Sequence, residues 1–232
     1  MNEDQEALAG FNGIARLFPL PGLVLFPHAV QPLHIFEARY REMTAEALQT
    51  DRLIALVLLK SGWEDQYDQR PSVHPVACLG RIIADQPMPD GRYNLMLRGL
   101  ARIRIVSELP VQKSFRLAQT EIIADVTSDD VEELMTLRTG LADMILPRIT
   151  NGPVREQVQA LFHGELPLGQ VCDLLTFALP LPPEGKQNLL EIANVPDRAR
   201  ALMETFLAIV SGESKPISST PGKRFPPDFS AN

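Results

Sequence analysis

The sequence predicts an α+β fold, a β-rich portion with one packed helix followed by a helical portion, and three observations predict it. The run RLIALVLLK is continuously apolar between Arg52 and Lys60, as a strand buried on both faces is. RYNLMLRGLARIRIV alternates, with Tyr93, Leu95, Leu97, Ala101, Ile103 and Ile105 on one parity and Arg92, Asn94, Arg98, Arg102 and Arg104 on the other. Beyond Val126 the apolar spacing becomes helical, so the boundary between the two portions is expected near that residue.

Composition bounds the function. The chain has 232 residues, enough for one large domain or two small ones, and a net charge of -7 that supplies no general attraction to nucleic acid or anionic lipid. Cys78 and Cys172 sit in apolar contexts (VACLG, QVCDLL) and read as buried free thiols rather than a disulfide or a metal pair. Twenty prolines favour short strands, frequent loops and rigid helix starts.

The elements follow in order. Leu17 to Phe36 is free of formal charge and long enough to span a bilayer, but Pro19, Pro21, Pro27 and Pro32 would leave backbone groups that lipid cannot satisfy. The preceding MNEDQEALAG is acidic, unlike a signal peptide, and the chain is expected to be cytoplasmic. Within the uncharged run, Leu23, Val24, Leu25 and Phe26 read as a buried strand ending at Pro27. IFEARYREMTAEALQ places Phe36, Tyr40, Met43 and Ala47 on one face of an amphipathic helix. RLIALVLLK is the central strand, and SGWEDQYDQRPS is a polar loop carrying Trp63 and Tyr67.

VHPVACLGRIIADQ resumes a strand pattern, Asp90-Gly91 supplies a turn, and the alternating arginine-bearing strand follows. Its alternation passes Gly99 without a change of parity, so Gly99 is expected to mark a bend or a close backbone approach. FRLAQTEIIADV is one more strand. SDDVEELMTLRTGLADMILPRI then opens the helical portion with an acidic first turn suited to the helix dipole, its stripe running through Val131, Leu134, Leu137 or Arg138, Leu141, Met144 and Ile145. Helices are expected across VREQVQALF, GQVCDLLTFAL, PEGKQNLLEI and PDRARALMETFLAIV, with Pro183 and Pro196 in first turns. Residues 1–13 read as a flexible N-terminus and 211–232 as a disordered tail.

Recognisable catalytic and cofactor motifs are missing: there is no P-loop, G-x-G-x-x-G, G-x-S-x-G, H-E-x-x-H or C-x-x-C. His28, His34, His74 and His163 are scattered and read as structural, although His28 and His34 could face one pocket. No enzyme activity, cofactor or metal is expected. Two sets of contact residues remain. Trp63 and Tyr67 are large aromatics in a polar loop and could grip apolar segments of another polypeptide, although Trp63 reads more readily as a lid folded back on the barrel. Arg92, Arg98, Arg102 and Arg104 could follow a phosphate backbone, but the acidic total charge and sparse aromatics favour a solvated sheet face.

Three segments resemble, in the right order, the amino-terminal substrate-binding domain of the Lon family of ATP-dependent proteases: LFPLPGLVLFPHAVQPLHIFEARY with RLIALVLL, then VACLGRIIADQPMPDGRYNLMLRGLARIRI, then LLTFALPLPPEGKQNLLEIANVPDRARALMETF. The resemblance covers about residues 14 to 210 and implies a PUA-like β pseudo-barrel over 14–126 followed by a helical bundle over 127–210. It implies binding of unfolded or partly folded polypeptide, in the service of a protease or chaperone and of protein quality control. The family's ATPase and peptidase motifs are not found here, so neither ATP use nor proteolysis is carried over. His28 stands where the family often has glycine after Phe-Pro, so that turn is expected to differ. The competing expectation is a PUA-like RNA binder using the arginine face, for which fold analogy is the main warrant.

Overall fold

The computed structural model describes residues 3–66, 69–149 and 152–212 of the chain. Its β-rich portion contains helix α1 (Glu3–Ala9), strands β1 (Ile14–Leu20) and β2 (Val30–Ile35), helix α2 (Ala38–Gln49), and strands β3 (Leu53–Leu58), β4 (Val76–Pro87), β5 (Tyr93–Glu108) and β6 (Arg116–Ile123). Five helices follow: α3 (Val131–Ile145), α4 (Pro153–His163), α5 (Leu168–Ala178), α6 (Pro183–Glu191) and α7 (Val195–Val210). The α+β class and the β-then-α order are as expected. No helix among the described residues is long and apolar enough to cross a membrane.

The strands form one sheet in the order β2-β5-β4-β3-β1-β6, and a further β5–β6 pairing closes five of them into a barrel. Closure is possible because β5 is sixteen residues long: Tyr93–Arg98 pair with β2, while Arg102–Glu108 pair with β6. β2 is therefore attached outside the closed ring. The expected central strand is β3, buried at all six positions. Ile54, Leu56 and Leu58 enter a core cluster with Phe18, Phe26, Tyr40 and Met43, whereas Leu53, Ala55 and Val57 enter another with Leu17, Leu79 and Ile103. The helix α2 buries Tyr40, Met43, Thr44 and Ala47.

Four expectations need correction. Leu23–Phe26 is not a strand: the first strand lies earlier, at Ile14–Leu20, and Val24, Leu25 and Phe26 are core residues of a buried loop. Pro21 and Gly22, the latter at φ 101°, break the chain after β1, and the apolar run packs without joining the ladder. Secondly, the N-terminus is not featureless. Helix α1 is tied to the barrel by Asp4, which accepts from Arg81 Nε at 2.9 Å and Arg98 Nη1 at 3.1 Å, and Ala7, Leu8 and Phe11 lie against the inner core.

Thirdly, the phase of β5 does change near Gly99. Gly80 pairs with Gly99 but Leu79 pairs with Ala101, leaving Leu100 as a bulge. Leu95 and Leu97 consequently belong to the cluster of Phe26, and Ile103 and Ile105 to the cluster of Leu17. Gly99 does mark a close approach: an added Cβ would sit 2.1 Å from the Phe26 carbonyl oxygen. Fourthly, Val131, placed on the buried stripe of α3, is 67% exposed, while Leu137, Leu141 and Ile145 are buried.

Two details explain local sequence choices. His28 has φ 68°, a left-handed conformation that glycine adopts without strain, and its amide donates to the Gly99 carbonyl at 2.8 Å. Asp130 caps α3 by accepting from the amides of Glu132 and Glu133. The tail beyond residue 212 and Tyr67 lie outside the described residues.

Candidate functional site

Two surfaces are built well enough to consider. The first runs along β2, whose only ladder partner among the described residues is β5. The outer edge is thus open to an added strand, although Pro32 deprives it of one donor. Two hollows flank it and share Pro32, Leu33 and His34. One, of about 210 Å³, is lined by Phe18, Leu20, Leu23, Phe36 and Tyr40; the other, of about 500 Å³, by Ala84, Leu95 and Met96.

These walls are the surface of the Phe26 core cluster, against which Leu20, Leu23 and Leu33 pack only partly buried. Fully covering one such side chain is worth about 1.5–3 kcal/mol, so this groove rewards apolar partner residues. The groove is firm. Phe18 and Tyr40 are tilted ring to ring at 4.5 Å between centroids, and His34 Nδ1 lies 2.8 Å from Asn94 Oδ1. Arg92 Nη1 can only donate to His34 Nε2, 3.4 Å away, so Nε2 accepts and Nδ1 carries the proton toward Asn94.

The second surface is a cleft of about 480 Å³ between barrel and helices, with Pro27, His28, Ile122 and Leu134 among its walls. Its floor is an ion network. Arg102 of β5 donates both terminal nitrogens to Asp173 of α5 and its Nε to the Leu190 carbonyl of α6 at 2.9 Å. Arg198 of α7 donates to Asp125 at 3.0 and 2.6 Å, and its Nε lies 3.4 Å from Asp173. Arg102, Arg198 and Asp173 are almost wholly buried, while the Asp125 side chain is 36% exposed. Burial pushes the Asp173 carboxyl up, against the pull of Arg102 and Arg198. The network joins the two portions: its four charges cancel, so the cleft floor offers no net charge to a ligand. Gln187 Nε2 on the Val76 carbonyl, at 3.0 Å, adds a second tie between helices and barrel.

The arginines singled out in the sequence do not form a stripe. Because of the bulge at Leu100, Arg102 turns inward onto Asp173, whereas Arg98 reaches Asp4 of α1 and Arg92 pairs with Asp90 at 2.6 Å. Arg104 is exposed and stands opposite Glu121 in the ladder. With one member buried and its neighbours neutralised, no continuous cationic track remains for a phosphate backbone.

Trp63 is half-buried in the loop after β3. Among the histidines, His28 lines the junction cleft and His34 the β2 groove, so the two do not share a pocket. No group of three metal-ligating side chains occurs among the described residues. Both cysteines are buried and free, and desolvation pushes the Cys172 thiol up to about 12 and Cys78 higher still. The β2 groove itself was not assigned from the sequence, because its walls come from β1, β2, β4, β5 and α2 and only their assembly exposes the edge.

The family model described as the ATP-dependent protease La (LON) substrate-binding domain matches residues 14–206. Lon protease 2 of Myxococcus xanthus is 25% identical over 194 residues, 81% of this chain and 23% of that protein. Lon protease of Heliobacterium modesticaldum is 28% identical over 189 residues, 81% of this chain and 23% of the relative. Lon protease of Escherichia coli (strain K12) is 26% identical over 205 residues, 86% and 26% respectively. The chain thus spans about a quarter of the length of these relatives. Two solved structures share the fold. A Lon N-terminal domain protein from Xanthomonas campestris superposes with a TM-score of 0.60 at 23% identity, covering 82% of this chain and 97% of that one. The N-terminal domain of Mycobacterium avium complex Lon protease gives 0.63 at 14% identity, covering 84% and 98%.

Proposed function

We propose, because this chain belongs to the ATP-dependent protease La (Lon) substrate-binding domain family, that it is a non-catalytic module that binds unfolded or partly folded polypeptide. The observation that carries the reading is the open edge of β2 with apolar hollows beside it. An extended segment adds as a strand to that edge and sinks apolar side chains beside Leu33. Main-chain bonds supply sequence-tolerant affinity, and the hollows supply a preference for exposed apolar residues, the mark of an unfolded client. Protein quality control, in the cytoplasm and together with a protease or chaperone, is the role this chemistry suits. Trp63 is a further contact in this reading, and Tyr67 lies beyond the described residues.

Fluorescence anisotropy with a labelled, permanently unfolded polypeptide tests it. Leu33→Asp places a charge in both hollows, and we expect affinity to fall about tenfold or more with the circular dichroism spectrum unchanged. Unchanged binding by a folded Leu33→Asp protein would refute the β2 groove. Trp63→Ala is expected to weaken binding by a smaller factor.

A further inference from the structure

The ladder between β2 and β5 fixes which main-chain groups of β2 face its open side. The Gly99 amide donates to the Ala29 carbonyl at 2.9 Å, so the inward bonds fall at Ala29 and then at every second residue: Gln31, Leu33 and Ile35, opposite Leu97, Leu95 and Tyr93. The main-chain groups of Val30, Pro32 and His34 therefore turn outward. Pro32 sits where its missing N–H costs the sheet no bond, at the centre of the open edge and exposed.

Two features set that centre apart from its flanks. An amide nitrogen at this place would draw a partner carbonyl to about 2.9 Å, whereas the Pro32 ring interposes a carbon that itself needs about 3.3–3.6 Å, so an added strand is held off there. The Pro32 carbonyl already accepts a hydrogen bond from Gln31 Nε2 at 2.8 Å. A client residue facing Val30 or His34 can both donate and accept. One facing Pro32 finds no donor, and its own N–H is offered to an acceptor that already has one. A client proline at that position fits the widened gap and leaves the Pro32 carbonyl paired. The same proline facing Val30 or His34 deprives that carbonyl of its partner in the added ladder.

We propose that the β2 edge takes extended apolar segments that carry a proline facing Pro32, a class that strand addition to an uninterrupted edge rejects. The proposal rests on the groove reading and adds a substrate class to it. The neighbours of the client proline point to the opposite face of the added strand, beside Leu33, where the hollow lined by Phe18, Leu20 and Tyr40 receives apolar side chains.

The test uses the full chain and a labelled, end-blocked apolar peptide of about nine residues, long enough to cover β2, together with a series in which one proline is stepped through its positions. Fluorescence anisotropy is the readout. With the wild-type chain, the proline facing Pro32 is expected to bind within about twofold of the parent peptide, and proline two residues to either side to bind about fivefold more weakly, the worth of one hydrogen bond. Pro32→Ala restores the donor and draws the strand in, so the parent is expected to bind about fivefold tighter and the tolerated position to become as costly as its flanks. Gln31→Met keeps Pro32 but removes the side-chain donor from its carbonyl, and is expected to raise the proline penalty at that one position about fivefold. Circular dichroism establishes that each variant is folded, and Gln31→Met decides if Pro32→Ala is not. Proline penalties that are the same at every position in the wild-type chain and the folded variants overturn the proline match while sparing the groove. Failure of every peptide to bind the wild-type chain overturns the groove, and the match with it.

Discussion

Substituting Asp173 by asparagine probes the junction between barrel and helices most directly. The carboxylate accepts two bonds from Arg102 and lies 3.4 Å from Arg198 Nε, and all three side chains are almost wholly withdrawn from water. Removing one partner from a buried ionic cluster costs about 3–5 kcal/mol because the remaining charges stay desolvated. Here Arg102 keeps the Leu190 carbonyl and Asp125 at 3.2 Å, and Arg198 keeps Asp125, so the lower end applies, about 3 kcal/mol. For a chain of this size that is a fall in Tm of about 6–12 °C. Urea unfolding followed by circular dichroism measures it. Replacing Arg102 by methionine and Asp173 by leucine together removes the paired charges and their desolvation, and is expected to recover most of the loss. A single variant that loses less than about 1 kcal/mol, or a double variant no better than the single, would refute the reasoning.

Gly99→Ala forces a Cβ to within 2.1 Å of a backbone carbonyl oxygen and 3.0 Å of Cys78 Sγ, and is expected to destabilise by about 3 kcal/mol or more, read as a lowered urea midpoint. His28→Gly releases the left-handed backbone at φ 68° and is expected to raise stability by about 0.5–1 kcal/mol, observable as a rise in Tm; a fall would show the imidazole to matter more than the backbone. Burial raises Asp4, but the hydrogen bonds and charges of Arg98 and Arg81 outweigh it and hold the carboxyl below its usual 3.8. A carboxylate depressed in the folded state stabilises above its unfolded pKa and loses that contribution as pH falls through the folded one. Hydrogen exchange should therefore show α1 protected at neutral pH and loosened below pH 3.8, and Arg98→Gln should weaken the neutral-pH protection.

Periodic segments were the legible part of the fold. β3 announced itself as an uninterrupted apolar run, α2 by its helical spacing, and α7 by its apolar pattern and the proline of its first turn. The run Leu23–Phe26 misled because a loop packed into the core needs the same apolar residues as a strand, and only hydrogen bonding separates the two. Helix α1 was invisible for a different reason: its anchors, Arg81 and Arg98, are 77 and 94 positions from Asp4. Parity in β5 could not reveal the bulge, since Leu100 is itself apolar, and one inserted residue sends Arg102 from the solvated face to Asp173, 71 positions on. Adjacency of Pro32–Leu33 to Phe18, Tyr40 and Met96 is a product of the assembled sheet.

Strand β5 makes the groove and the junction parts of one beam. Tyr93–Arg98 carry the edge strand β2, and Arg102, a few positions on, is bolted through Asp173 and Leu190 to the helices. A tug on a polypeptide paired along β2 would therefore load β5 lengthwise and pass into the helices without crossing a flexible loop. Ladder bonds stressed along their strands share the load rather than opening one by one. A client held there would be harder to pull free along its own axis than to peel away sideways.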